Sequence, residues 1–259
     1  MGRFDHIRPE GHAEEAPPAD PGPTFDASHF VAEAERAMAK GDHEGALKLY
    51  GRALQVERER LDAWLGQVRA LVDMGHPEEA FTWLEQATSV LGERPQLHAM
   101  RAIASARCGN REDALAWSDR AMREGQDHVE VWLSRAEVLY LTQRPPLAAM
   151  ALEKAAERSP GALTERRAGE VALQYDDLGR AAIWLERAAR HAPEDPLVAL
   201  RLGVLRDRQG DEARARAELE RALALSPQLS AARLALRELD GRSFWEKTRQ
   251  KMGRWLGGS

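Results

Sequence analysis

The stretch Ala39-Lys40-Gly41-Asp42-His43-Glu44-Gly45-Ala46 decides the fold. It reads as a helix end, a glycine suited to a left-handed stop, and the start of a new helix. Its last alanine returns at Ala80, Ala114, Ala148, Ala181 and Ala215, with spacings from Ala46 of 34, 34, 34, 33 and 34 residues. Seven positions further on, Ala53, Ala87, Ala121, Ala155, Ala188 and Ala222 repeat that spacing. Five positions before the first set stand Gly41, Gly75, Gly109, Gln143, Asp176 and Gly210. Pro160, Pro193 and Pro227 share one register, and proline just past a helix stops it. Ala34, Val68, Ala102, Ala136, Gly169 and Gly203 fall near the middle of each first helix. Small side chains there let paired helices approach closely, while Tyr50, Leu84, Leu152, Leu185 and Leu219 fill the space between. One such pair cannot bury its apolar face, so the unit must stack.

Strand signals are absent: β-branched residues are sparse, and no long run alternates apolar with polar. The 259 residues are 43% apolar, enough for a sizeable core, and 31% charged with a formal net charge of -5. That balance argues against a nucleic-acid partner, which calls for a basic excess to displace counterions from phosphate. The lone Cys108 excludes an internal disulfide framework and a multi-cysteine metal site, and it reads as a small, semi-buried packing residue. The N-terminus shows no apolar run of a secretory signal, and His6 stands where a myristoylation signal wants Ser or Thr. No stretch approaches the ~20 apolar residues of a membrane span, so a cytoplasmic location is expected.

The period, the Gly-x-x-x-x-Ala turn, the later alanine and the helix-ending proline together resemble the tetratricopeptide repeat family. Trp64 and Trp132 stand where that family often carries tryptophan, and Gly169 and Gly203 match its first-helix glycine. The resemblance covers about residues 27 to 228, about six repeats. It implies an all-α, right-handed α-solenoid of stacked antiparallel helix pairs. Two repeats depart from the pattern. The third has His98 and Ser105 at positions that are usually bulkier; the fourth replaces the turn glycine with Gln143 before Pro145-Pro146, which suggests altered packing or a reshaped turn.

The resemblance also implies a function. In this family the first helices line a concave groove that binds a protein or peptide. The register then assigns Arg69, Arg107, Glu137, Tyr140, Arg166, Gln174 and Arg208 to that groove. Arginine offers a planar fork to carboxylates, and tyrosine a stiff amphipathic anchor. The family's chaperone-tail receptors hold a C-terminal carboxylate with Lys and Asn. Here the corresponding places hold Val31, Glu35, Gly66, Gln96 and Met100, so that clamp is absent and no chaperone role carries over.

Catalytic signals are missing. No phosphate-binding glycine loop occurs, and the histidines at 6, 12, 29, 43, 76, 98, 128 and 191 include no i, i+4 pair for a metal. No enzyme, cofactor or metal is expected.

The ends differ from the middle. Residues 1–24 are rich in proline and acid and read as a disordered tail, with 25–228 as the array. Within 229–259, Leu229 to Leu239 reads as a capping helix, with Arg237 at the small-residue position and Asp240-Gly241 as its end. Ser243 to Leu256 reads as a basic amphipathic helix. At 100° per residue Phe244, Trp245, Met252, Trp255 and Leu256 fall within about 120° of one another. The leading reading is a non-catalytic scaffold or adaptor with a partner in the groove. The alternative is a subunit tethered to a complex or a membrane surface through this last helix.

Overall fold

The computed structural model describes residues 26–242. Among these, twelve helices form six antiparallel pairs. They are α1 Ala27–Ala39 with α2 His43–Val56, α3 Leu61–Asp73 with α4 Pro77–Leu91, and α5 Pro95–Arg107 with α6 Arg111–Gly125. They continue as α7 Val129–Leu141 with α8 Pro145–Arg158, α9 Ala162–Gln174 with α10 Leu178–His191, and α11 Pro196–Arg208 with α12 Glu212–Leu225. A further helical run, α13, covers 230–242. The chain is the all-α solenoid expected from its period.

The repeated turn is built the same way six times. In the first copy the Gly41 amide donates to Met38 O at 3.0 Å, and the Asp42 amide reaches back to Ala37 O at 3.0 Å. This pair of bonds closes the exposed carbonyls of a helix end. Equivalent pairs recur at Gly75–His76, Gly109–Asn110, Gln143–Arg144, Asp176–Asp177 and Gly210–Asp211. The next helix then starts on a cap: Asp42, Asp177 and Asp211 each accept from the amide three residues on. At His76 and Arg144, where no such cap bond forms, proline opens the helix instead, while α6 starts after Asn110 with neither.

The expected reshaping of the fourth turn does not occur. Gln143 adopts φ 62° and Asp176 φ 60°, the left-handed conformation that Gly41 takes at 78°. The bonds of Gln143 to Tyr140 O at 2.9 Å and Arg144 to Leu139 O at 2.7 Å hold the turn in shape against its side chain. That conformation costs a residue with a Cβ roughly 1–2 kcal/mol, against roughly 0.5–1 kcal/mol of extra chain entropy that glycine loses on folding. Gln143→Gly is therefore expected to stabilise the protein by about 0.5–1 kcal/mol. Calorimetry should show a melting temperature higher by roughly 1–4 °C; a fall would overturn this account.

The alanines sit where the helices touch. Ala46, Ala80, Ala114, Ala148, Ala181 and Ala215 are all fully buried, as are Ala34, Val68, Ala102 and Ala136 on the facing helices. Trp64 and Trp132 each tie their repeat to the preceding loop, with Nε1 donating to Arg58 O at 2.8 Å and to Gln126 O at 2.7 Å. The helices stop at Arg158, His191 and Leu225, two residues before Pro160, Pro193 and Pro227. Cys108 is exposed rather than semi-buried, because it caps α5 where the chain already swings out into the Gly109 turn.

The first helices also pack on one another in succession, α1 on α3 and onward to α11. Among the described residues the second helices make no comparable series. The first helices thus lie on the inside of the curve. The curvature is enough that Lys40, in the first turn, borders a shallow cavity of about 290 Å³ with Ser230, Arg233, Leu234 and Arg237 of α13.

Ala232 and Leu239 of α13 are buried on the last pair with Leu236 packed beside them. Asp240-Gly241 does not end that helix, which is described through Arg242. Two ion pairs hold its last turn down: Arg216 to Asp240 at 2.6 Å and Arg242 to Asp207 at 2.6 Å.

Candidate binding groove

The curvature brings residues from four first-helix segments to one point. Glu137 of α7 is 2% exposed, and its carboxylate is the hub. Arg69 of α3 reaches over from two repeats away and donates Nη1 to Glu137 Oε2 at 2.6 Å. Its Nη2 extends to Gln174 Oε1 of α9 at 3.4 Å, and its Nε holds Asp73 at 3.0 Å. The other Glu137 oxygen accepts from the Tyr175 hydroxyl at 3.2 Å, with the Arg107 guanidinium of α5 at 3.7 Å. Tyr140 stacks on Tyr175 with ring centroids 5.1 Å apart and planes 9° from parallel. Its hydroxyl donates to Asp177 at 3.0 Å.

Electrostatics keep this arrangement charged where it is charged and protonated where it donates. Burial works against the Arg69 charge, but Glu137 and Asp73 outweigh it and hold the guanidinium above its ordinary value. Burial, then the Glu137 carboxylate, pushes the Tyr175 phenol up. Burial and the bond to Asp177 do the same for Tyr140. Both hydroxyls therefore remain donors through the neutral range.

A second cluster lies one repeat further on. Glu170 accepts from Arg166 at 2.7 Å and Arg201 at 2.8 Å. Burial alone would raise its pKa; the two guanidiniums prevail and hold it below the usual carboxylate range. Arg208 donates to Leu173 O at 2.6 Å, capping the C-terminal end of α9. It is 44% exposed and lies 4.0 Å from Asp176.

The seven residues assigned to the groove by register lie on α3, α5, α7, α9 and α11. Four of them, Arg69, Arg107, Glu137 and Gln174, meet in one network, with Tyr140 joined through Tyr175. Arg166 belongs to the Glu170 cluster, and Arg208 binds the end of α9 apart from it. Several are not free lining: Glu137 and Tyr140 are buried, and the arginines already have partners. Tyr175, Glu170 and Arg201 were not assigned from the sequence. Tyr175 is the cap residue just past α9, where a helical register no longer says which way a side chain points. Phe244, Trp245, Met252, Trp255 and Leu256 of the basic segment, and the tail 1–24, lie outside the described residues. No helix among the described residues is long and apolar enough to cross a membrane.

Comparison with known proteins agrees with this architecture. Tetratricopeptide repeat models match residues 37–104, 99–162 and 166–230. No curated protein matches the chain. Among solved structures, a tetratricopeptide repeat protein of Thermus thermophilus is 18% identical with a TM-score of 0.52, over 69% of this chain and 98% of that one. A tetratricopeptide repeat protein of Parabacteroides merdae is 13% identical with a TM-score of 0.51, over 85% of this chain and 86% of that one. Yeast Tom70 is 14% identical with a TM-score of 0.54 over 90% of this chain, which spans 50% of its length. At these identities the structural likeness speaks for the fold alone. With the matched repeats running from residue 37 to residue 230, the chain belongs to the tetratricopeptide repeat family.

Proposed function

We propose that the protein is a non-catalytic scaffold that binds a protein or peptide partner along the inner face of the array, and that it works as an adaptor in the cytoplasm. The observation that carries this reading is the convergence of charged and aromatic side chains from α3, α5, α7, α9 and α11 on one concave surface. Such a surface suits a segment that meets arginine forks and tyrosine edges in turn. The family's general character as a repeat scaffold points the same way.

The test uses the two most exposed cations of the set, Arg107 and Arg208, with side chains 31% and 44% exposed. The full-length protein and an R107E/R208E variant are used to capture partners, which are then identified and quantified by mass spectrometry. Partners specific to the wild type should fall at least tenfold with the variant, equivalent to about 1.4 kcal/mol. Equal recovery from a variant of unchanged helix content would sink the groove as the binding surface.

A further inference from the structure

We propose that Lys40, Arg233 and Arg237 form a cationic notch where the two ends of the array meet, and that its occupant is the acidic stretch Glu10 to Asp20 of this chain's own tail. The notch is separate from the binding groove, and none of the seven residues assigned to that groove lines it.

Curvature creates the notch. Lys40 closes α1 in the first repeat and α13 follows the sixth, yet both line the cavity of about 290 Å³. Ser230, Ala231 and Leu234 complete the lining, so three of its six residues are cations and none is an acid. Like charges gathered by the fold repel, and in a chain of net charge -5 an acid is usually at hand to relieve them. Arg69, Arg166, Arg201, Arg216 and Arg242 each lie on a carboxylate in this way. Among the described residues the notch cations do not. Arg233 gives one nitrogen to Pro227 O at 2.6 Å, and the side chains of Lys40 and Arg237 have no polar partner. Leu234, 55% exposed, adds an apolar contact beside the charges.

Two segments outside the described residues flank the array, and charge separates them. The one after Arg242 carries Lys247, Arg249, Lys251 and Arg254 against Glu246, so a cationic notch repels it. The one before Asp26 carries Glu10, Glu14, Glu15 and Asp20, with no Lys or Arg after Arg8. Between those acids stand Ala13, Ala16, Pro17, Pro18 and Ala19, small apolar residues that suit the Leu234 side of the cavity. Reach agrees with charge. The α1 helix carries the chain about 20 Å from Asp26 to Lys40. Glu14 stands twelve residues before Asp26, a length that spans about 20 Å as a coil and up to about 40 Å when extended. A tethered occupant is present at an effective concentration on the order of a millimolar, so exposed ion pairs that are individually weak suffice to populate the contact.

The experiment is zero-length carbodiimide coupling of the full-length protein at low salt, mapped by peptide mass spectrometry. The reagent joins a carboxylate to a lysine amine in contact with it, and the chain has five lysines: Lys40, Lys48, Lys154, Lys247 and Lys251. Tail carboxylates should couple to Lys40 roughly fivefold more than to Lys48, which is exposed on the next helix. The variant R233Q/R237Q keeps Lys40 and should lower that coupling roughly fivefold, as should about 0.5 M salt. Its helix content is checked by circular dichroism, and R237Q alone, which leaves the Arg233 bond to Pro227, serves if the double variant loses helix. Coupling that is absent, spread evenly over Lys40 and Lys48, or unchanged in the variant would overturn the proposal. Coupling of the tail to Lys247 or Lys251 would overturn it as well, by making the basic segment the seat of the tail. Mixed products from a blend of isotope-labelled and unlabelled protein would also overturn it, since the contact would then join two copies. Each of these outcomes leaves the capture test at Arg107 and Arg208 standing.

Discussion

Gly66→Val is expected to destabilise the protein by about 2–3 kcal/mol, with the first repeat loosening before the rest. Gly66 lies on α3 beneath the ring of Tyr50 from α2. A Cβ built there would stand 2.2 Å from Tyr50 Cζ and 2.4 and 2.6 Å from its two Cε atoms. A leucine could swing aside; a flat ring held on both faces cannot. Tyr50 is 4% exposed and packs with Val31, Ala34, Ala46, Ala53 and Ala63, the core of the first repeat. Burial, then Glu35 and Asp62, pushes its phenol up to about 12, so the hydroxyl has no ionised state to gain by moving at neutral pH. Either the ring leaves and the α2–α3 contact opens, or the helices separate. Overpacking of this kind typically costs ~1–3 kcal/mol, and valine gives back little helix propensity in exchange for glycine's. Among the described residues the first repeat has a neighbour on one side only, so the effect is local. Amide exchange followed by mass spectrometry should show α1 and α2 exchanging at least tenfold faster while α9 to α12 keep wild-type rates. A milder Gly66→Ala combined with Tyr50→Leu should recover most of the protection. Unaltered exchange in α1 and α2 would mean that the ring is not pinned as described.

The parts of this structure that local backbone chemistry dictates were legible in the sequence. Six turns at nearly constant spacing require a left-handed residue and a buried alanine, and each requirement is met within a few residues of chain. Even Gln143 obeys the turn, since the two backbone bonds around it outweigh its own preference. What was not legible depends on curvature summed over several repeats. Nothing near Arg69 says that it will meet Glu137 and Gln174, because that meeting follows from small rotations accumulated over three repeats. The register put Arg69, Glu137 and Gln174 on first helices, but it could not show that they are one another's partners. Cys108, taken as semi-buried from its helical position, failed for the opposite reason: the helix ends one residue earlier and the turn exposes it.

His98 is the other place where a departure in the sequence was visible but its meaning was not. It occupies the register position of Trp64 and Trp132, and in the fifth repeat that position is Glu165. Both are buried, 3% and 2% exposed. His98 Nδ1 lies 3.4 Å from Glu124, and its Nε2 binds Glu93 in the preceding loop. Glu165 accepts from His191 Nδ1 at 2.7 Å. His98 to Glu124 and Glu165 to His191 are each 26 residues apart, so the third and fifth repeats carry the same pair with the two residue types exchanged. The surroundings repeat as well. His98 lies against Trp117 with ring centroids 5.5 Å apart and planes tilted by 37°, and Arg120 lies over the Trp117 ring at 5.3 Å. The equivalent Arg187 lies over Trp184 at 4.5 Å and pairs with Glu165 at 3.3 Å.

The fifth repeat is thus a natural design for the third. His98→Glu alone should cost about 3 kcal/mol, because it gathers a buried carboxylate with Glu93 and Glu124 and removes the imidazole that binds Glu93. The double variant H98E/E124H should recover about 2 kcal/mol of that loss. It restores an imidazole to the pair, and Arg120 is placed to meet the carboxylate introduced at position 98 as Arg187 meets Glu165. A double-mutant cycle by denaturant unfolding at pH 7, completed with E124H, measures the coupling directly. A coupling near zero would mean that the two pairs are unrelated neighbours. A value of about 2 kcal/mol would show that the position which the family usually fills with tryptophan can instead be filled by a charge, provided that the end of the following helix supplies its complement.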